Sequence, residues 1–193
     1  MPSASDRLVV VCGWPVSGKT TIAKRLQQAL GFHRVDIDDV RLLATGLPNP
    51  HPDASLELRQ RDADEMAAAY KLLLSITDWH LERTRPLIIT ATFSRVSGQR
   101  DLKTVIDRHP HMPVRIIWCR PEGDTRAEIG LRLQREFGRD YVGGVNSYDR
   151  YLEVKARYES IGLPHMKLDT GPQRSVDESV EMALGYILLE QHD

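Results

Sequence analysis

The sequence predicts an α/β fold in which a five-stranded parallel sheet carries helices on both faces. Three observations lead there. Short β-branched runs alternate with helical stretches along the chain, the pattern of parallel strands joined by right-handed crossovers. The first run, Leu8-Val9-Val10-Val11-Cys12, is continuously apolar, as a strand buried on both faces is. Between it and the first helix stands Gly13-Trp14-Pro15-Val16-Ser17-Gly18-Lys19-Thr20, which fits the pattern G-x-x-x-x-G-K-[ST] of a phosphate-binding loop.

Each element has its own signal. After the loop, Ile22, Ala23, Leu26, Ala29 and Leu30 recur at helical spacing, and Gly31 is placed to end that helix. His33 to Ile37 alternates as a second strand and ends among carboxylates. A short helix follows from about Asp38 to Ala44, stopped by Gly46, Pro48, Pro50 and Pro52. From about Ser55 to Arg83 the chain reads as one long helix or two in succession. Met66, Tyr70, Leu73, Leu74, Thr77 and Leu81 lie on one face of it. The third strand is Leu87 to Ala91, entered through Pro86, with a helix over roughly Gln99 to Arg108 behind it. The fourth strand is Val114 to Cys119. An arginine-rich helix, a Gly143-Gly144 break and a helix near Tyr148 to Ser160 come next. The fifth strand, His165 to Leu168, precedes a last helix with Val176, Val180, Leu184, Ile187 and Leu188 on one stripe.

The 193 residues, 41% hydrophobic and 27% charged, make one domain over residues 1–193 with room for a sizeable core. A net charge of −1 provides no global basic field of the kind that tight non-specific nucleic-acid binding needs. No apolar run approaches the ~20 residues of a membrane span, and the first seven residues lack a signal peptide's apolar core. The expectation is a cytoplasmic protein with no membrane partner. Cys12 and Cys119 each end an apolar run and read as buried small hydrophobes. The histidines show no metal-ligand spacing, and His109 and His111 bracket Pro110 in a loop.

Ligands of such sheets bind beyond the carboxyl ends of the strands, and three segments fall there. In the loop, backbone N–H groups face phosphate oxygens and Lys19 reaches the β- and γ-phosphates. The Thr20 hydroxyl suits Mg²⁺, and the following helix offers the positive end of its dipole. In the second segment, Asp36-Ile37-Asp38-Asp39-Val40-Arg41, a carboxylate would face the γ-phosphate, to accept a proton from an attacking hydroxyl or hold a water on Mg²⁺. The same aspartates would serve as an N-cap and a first-turn acid. Arg41, one turn on, suits either an anionic group of an acceptor or a solvated surface. Neither the third strand's end, Ile89-Thr90-Ala91-Thr92, nor the fourth's, Trp118-Cys119-Arg120, offers the second Mg²⁺-holding acid of a hydrolase. Metal positioning then falls to the Asp36–Asp39 cluster. In the third segment Arg132, Arg135 and Arg139 share one helical face. They would clamp a phosphoryl group in transfer, or form a solvated face balanced by Glu128 and Glu136.

Together these segments resemble the P-loop kinase family, in particular the group that includes the polynucleotide 5′-kinase domain and related small-hydroxyl kinases. The matching residues, in order, are Gly13 to Thr20, Asp38-Asp39-Val40-Arg41, Ala91-Thr92-Phe93, Arg132 with Arg135, and Asp169-Thr170. The resemblance implies a P-loop NTPase fold with sheet order 2-3-1-4-5 and a short helical lid over about 122–145. It implies ATP and Mg²⁺ as cofactors, with Gly13 to Thr20, Thr21, Arg132, Asp169 and Thr170 on the nucleotide. Lys19, Asp38, Arg132 and Arg135 would be catalytic, Asp38 as the base. Asp38, Arg41, Thr90 and Thr92 would meet the acceptor, and Thr20 and Asp38 the metal, partly through water.

Two residues depart from the family pattern. Val16 replaces a loop glycine, a change that is tolerable if the residue keeps a negative φ. Thr90 stands where the family often has Asp. The expected activity is ATP-dependent phosphorylation of a hydroxyl on a small-molecule acceptor, with the pocket shaped by Leu47 to Asp53 and the long helix after it. One alternative is a polynucleotide 5′-hydroxyl kinase, with Arg59, Arg61 and Arg95 lining a basic groove. Another is a nucleotide-binding sensor that transfers nothing.

Overall fold

The computed structural model describes residues 7–45, 56–137, 145 and 147–189. Its strands β1 (Leu8–Gly13), β2 (His33–Asp36), β3 (Leu87–Thr90), β4 (Val114–Arg120) and β5 (Met166–Asp169) form one parallel sheet in the order β2-β3-β1-β4-β5. The helices are α1 (Lys19–Leu30), α2 (Ile37–Thr45), α3 (Leu56–Glu82), α4 (Val96–Arg108), α5 (Arg126–Phe137), α6 (Tyr148–Ala156) and α7 (Val176–Leu188). The long helical stretch is therefore one helix, α3. Among the described residues no helix is long and apolar enough to cross a membrane.

β1 occupies the centre because every one of its residues is buried. Val9, Val10 and Val11 are wholly enclosed, each contributing roughly 1.5–3 kcal/mol by burial. Its register runs from Leu8↔Leu87 to Val11↔Thr90 on one side and from Leu8↔Val114 to Gly13↔Cys119 on the other. Successive strand residues point to opposite faces, so β1 divides two cores. Val10 and Cys12 join Leu73 and Leu81 of α3 and Leu102 and Val105 of α4. Val9 and Val11 join Ile22 and Leu26 of α1 and Val180 and Ile187 of α7. Cys12 and Cys119 lie buried and free, one in each core. A third, smaller cluster joins Ile129 and Leu133 of α5 to Val145 and to Tyr151 of α6.

The predicted faces hold with local corrections. Met66, Tyr70, Leu73, Leu74 and Leu81 all pack into the larger core, and Thr77 is buried with its hydroxyl on the Leu73 carbonyl at 2.8 Å. Ala29 is exposed, at the edge of the stripe, while Leu30 of the same turn packs against the core. Val176 and Leu188 are also exposed, at the two ends of α7, and Ala183 completes the buried stripe in their place. Leu47 to Asp53, Arg139 and the part of the lid over 138–144 lie outside the described residues.

Candidate active site

The phosphate loop leaves the central strand at the point where the sheet order reverses, with β3 on one side and β4 on the other, which is where such sheets open a crevice. Its shape depends on two glycines. Gly13 has φ 142, and a Cβ there would run into the Cys119 carbonyl oxygen of β4. Gly18 has φ 82 and caps α1, a left-handed position glycine takes without steric cost.

Between them the loop departs from expectation. Val16 does not keep a negative φ; it stands at 51, where a β-branched residue is an outlier and the cost is roughly 1–2 kcal/mol. Helix α5 meets it there. The Val16 carbonyl accepts a hydrogen bond from Arg132 Nη1 at 3.2 Å, and its side chain packs against the Ile129–Leu133–Val145–Tyr151 cluster.

Lys19 Nζ donates to the Trp14 carbonyl at 2.6 Å. Enclosure by the loop pulls its pKa below the usual lysine value, while Cys119, Asp38 and Asp36 pull the other way. Thr20 lies at the exposed start of α1 and donates to Asp36 Oδ2 at 3.4 Å. Thr21 is exposed beside it. The acid facing the loop threonine is thus Asp36, a residue the spacing placed in the acidic cluster without singling it out. β2 ends there and α2 begins at Ile37, one residue earlier than the sequence pattern suggests. Asp36 is buried, accepts Asp38 N–H at 3.2 Å and pairs with Arg34 Nη1 at 3.1 Å. Burial raises its pKa, opposed by the Asp38 amide and by Arg34.

This arrangement answers the capping question. Asp36 Oδ1 takes up the Asp38 amide in the first turn of α2, so the capping carboxylate is Asp36 and not Asp38. Asp38 is left without that structural duty. Its surface reaches solvent, yet protein encloses it on most sides. That enclosure first, and Asp36 second, hold its carboxyl up at about 6, against the pull of Lys19 and Arg41. Arg41 is not a solvated arginine: it is 2% exposed and points at Glu65 Oε2 of α3, 3.4 Å away. Glu65 also accepts from Arg61 Nε at 2.8 Å.

Across the crevice, Thr90 pairs in register with both Asp36 and Val11. It is 1% exposed, and its hydroxyl makes no hydrogen bond among the described residues. Thr92 is held from two sides: its hydroxyl meets Tyr70 Oη at 2.9 Å and its carbonyl accepts from Tyr158 Oη at 2.5 Å. Tyr70 Oη also accepts Phe93 N–H at 3.2 Å. Nothing in the hydrophobic spacing marked Tyr70 and Tyr158 as supports of this loop.

On the other flank, Arg132 reaches the site but meets carbonyls. Besides Val16 it donates through Nη2 to the Thr170 carbonyl at 2.5 Å, while Nε pairs with Glu128 at 2.7 Å. Thr170 Oγ1 in turn donates to the Ser17 carbonyl at 2.8 Å. Arg135 is exposed and makes no ion pair with another described residue. Asp169 Oδ1 accepts the N–H groups of Glu122 and Gly171 at 2.9 and 2.8 Å, which joins the β4–α5 and β5–α7 loops. A cleft of about 460 Å³ opens between those loops, lined by Gly123, Thr125, Glu128, Leu131, Asp169 and Pro172 among others.

The profile of a family described as "AAA domain" matches residues 8–132. The fold is similar to several solved structures. A protein of Chloroflexus aurantiacus J-10-fl, named as a candidate kinase, shares 21% identity at TM-score 0.69, with 96% of this chain and 99% of that chain covered. A sugar kinase from Janibacter sp. HTCC2649 shares 19% at TM-score 0.58, with 94% of each chain covered. Chaetomium thermophilum Kti12 in complex with ADP-AlF3 shares 16% at TM-score 0.58, with 94% of this chain and 100% of that chain covered. No curated protein matches the sequence.

Proposed function

The chain belongs to this AAA domain family, a P-loop kinase-like group, and from that premise we propose an ATP-dependent phosphotransferase acting on a hydroxyl of a small-molecule acceptor. The observation that carries the reading is Asp38. It faces the phosphate loop within electrostatic reach of Lys19, free of capping duty, with a carboxyl held up at about 6. A base so poised accepts a hydroxyl proton near neutral pH.

The other roles follow from placement. The loop amides and Lys19 bind the β- and γ-phosphates once Lys19 exchanges the Trp14 carbonyl for them. The Thr20 hydroxyl and Asp36 carboxylate are hard oxygen donors side by side, a set that fits Mg²⁺ held by one or two protein groups and substrate phosphates. When bound, the ion supplies charge neutralisation at the phosphates. The cleft beside Asp169 and Thr170 offers room for the nucleobase. Arg41 and Thr90 lie buried behind the acceptor side and Thr92 stands at its edge, in position to shape the acceptor pocket. The similarity to a sugar kinase supports a hydroxylated small molecule as acceptor.

The test is ATP consumption with Mg²⁺ against nucleosides, sugars, hydroxylated antibiotics and 5′-hydroxyl oligonucleotides, with wild type beside Lys19→Ala. An acceptor-dependent rise that vanishes in the variant is expected. A second reading, nucleotide binding without transfer, draws on Thr90 in place of an acid. Tight binding with no product across the panel would favour it.

A further inference from the structure

The Val16–Ser17 peptide is held at both ends. Its carbonyl accepts from Arg132 Nη1 at 3.2 Å, and its N–H donates to the Trp14 carbonyl at 3.3 Å. The residue before it stands at φ 51 with a β-branched side chain, a conformation that persists only when its surroundings over-determine it. Those surroundings are α5 and α6. Arg132 is itself fixed by Glu128 and by the Thr170 carbonyl, and the valine methyls rest among Ile129, Leu133, Val145 and Tyr151. Glycine at this position would hold the same backbone unaided. Valine carries the steric cost of that backbone, and its contacts with Arg132 and the α5–α6 cluster offset it. Relaxing Val16 to negative φ would turn its carbonyl off Arg132, withdraw its side chain from the cluster and swing the Ser17 amide.

We propose that Val16 is a positioning residue through which the α5 lid segment sets the shape of the phosphate loop, so that nucleotide affinity in this chain depends on lid contacts. This rests on the reading of the loop as a nucleotide site.

The test compares Val16→Gly with Val16→Ala, with MgATP binding read by calorimetry and unfolding followed without nucleotide. Glycine keeps the left-handed backbone and loses only the packing. Alanine loses the packing and keeps the steric penalty. The expected result inverts the order of size: Ala binds MgATP about tenfold more weakly than Gly, and Gly unfolds at the higher temperature. Leu133→Ala, which thins the cluster against Val16 without touching the site, should weaken binding in the valine background and change it little in the Val16→Gly background. If valine serves only as core packing, alanine is the milder change in both readouts, and that order overturns the proposal. A wild type that binds no nucleotide would sink the proposed function alone; the unfolding order of the two variants, and its loss in the Leu133→Ala background, would still decide the coupling of loop to lid.

Discussion

Two loops at the carboxyl edge of the sheet each force a bulky residue into the left-handed region: Val16 after β1 at φ 51, and Phe93 after β3 at φ 45. They are held in opposite ways. Phe93 is 1% exposed in the larger core, edge-on to Tyr70 at 5.5 Å, and two tyrosine hydroxyls and Gln99 fix its loop. Val16 hangs on a guanidinium and a small cluster belonging to the lid. The β3 loop proposed to meet the acceptor is therefore anchored in the core at its left-handed residue, whereas the phosphate loop, tied to the core through Trp14, rests on the satellite cluster at Val16. Damage to the first should cost stability and acceptor recognition together; damage to the second should cost nucleotide handling and leave the core intact.

Substitutions can break that contrast. The largest effect belongs to Lys19→Ala, which removes the loop's mobile charge. Phosphoryl transfer should fall by about 10³-fold or more, with an unfolding temperature near that of wild type. A single-turnover assay beside a thermal melt checks both halves, and a collapse of the melt would mean the loop is not separable from the core. Asp38→Asn comes next, with turnover reduced about 10²- to 10⁴-fold. Here the sign of the pH effect is informative. The folded carboxyl lies at about 6, above its ordinary value of 3.8, so the folded state holds a proton that the unfolded chain releases. This group stabilises the fold as pH drops through 6 and opposes it once ionised. Asp38→Asn should accordingly melt higher than wild type at pH 7.5 while losing activity, and wild-type kcat/KM should climb as pH rises through about 6. A variant that is no more stable, or a flat profile across that range, removes Asp38 as the base.

Asp36→Asn should raise the Mg²⁺ concentration needed for half-maximal rate by about tenfold, read from a metal titration at saturating ATP. If the requirement is unchanged, the ion is held elsewhere. The smallest expected change is Tyr70→Phe. It strips the Phe93 amide and the Thr92 hydroxyl of a partner and should cost about 1–3 kcal/mol in denaturant unfolding. Acceptor KM should rise while ATP KM stays put. An equal rise in both would erase the distinction between the two loops.

What the sequence discloses and what it hides follow the same division. The apolar run, Gly13, Gly18, Lys19 and Thr20 are legible because their work is local: strand, turn and helix start are neighbours in the chain. The order of strands came through the resemblance, and the register bears it out. Val16's left-handed backbone had a sequence signal, the glycine of the family pattern at that position; what the sequence hid is its contact with Arg132, 116 residues away. The choice between Asp36 and Asp38 turned on where β2 stops. A shift of one residue decides which carboxylate closes the strand against Thr90 and which begins the helix. Tyr70 reads as one more residue of an apolar stripe; only the fold brings its hydroxyl to a loop 22 residues on.

The central position of β1 also has a consequence for how the protein is made. Its hydrogen-bonding partners on both sides, β3 and β4, come late, and β4 ends at Arg120. At ribosomal speeds of about 5–20 residues per second, the most apolar strand waits some 5–20 s for its second neighbour. During that interval Leu8 to Cys12 is an unpaired sticky segment on a nascent chain. Overexpression at lower temperature, or alongside holdase chaperones, is therefore the condition under which a soluble yield of this protein is to be expected.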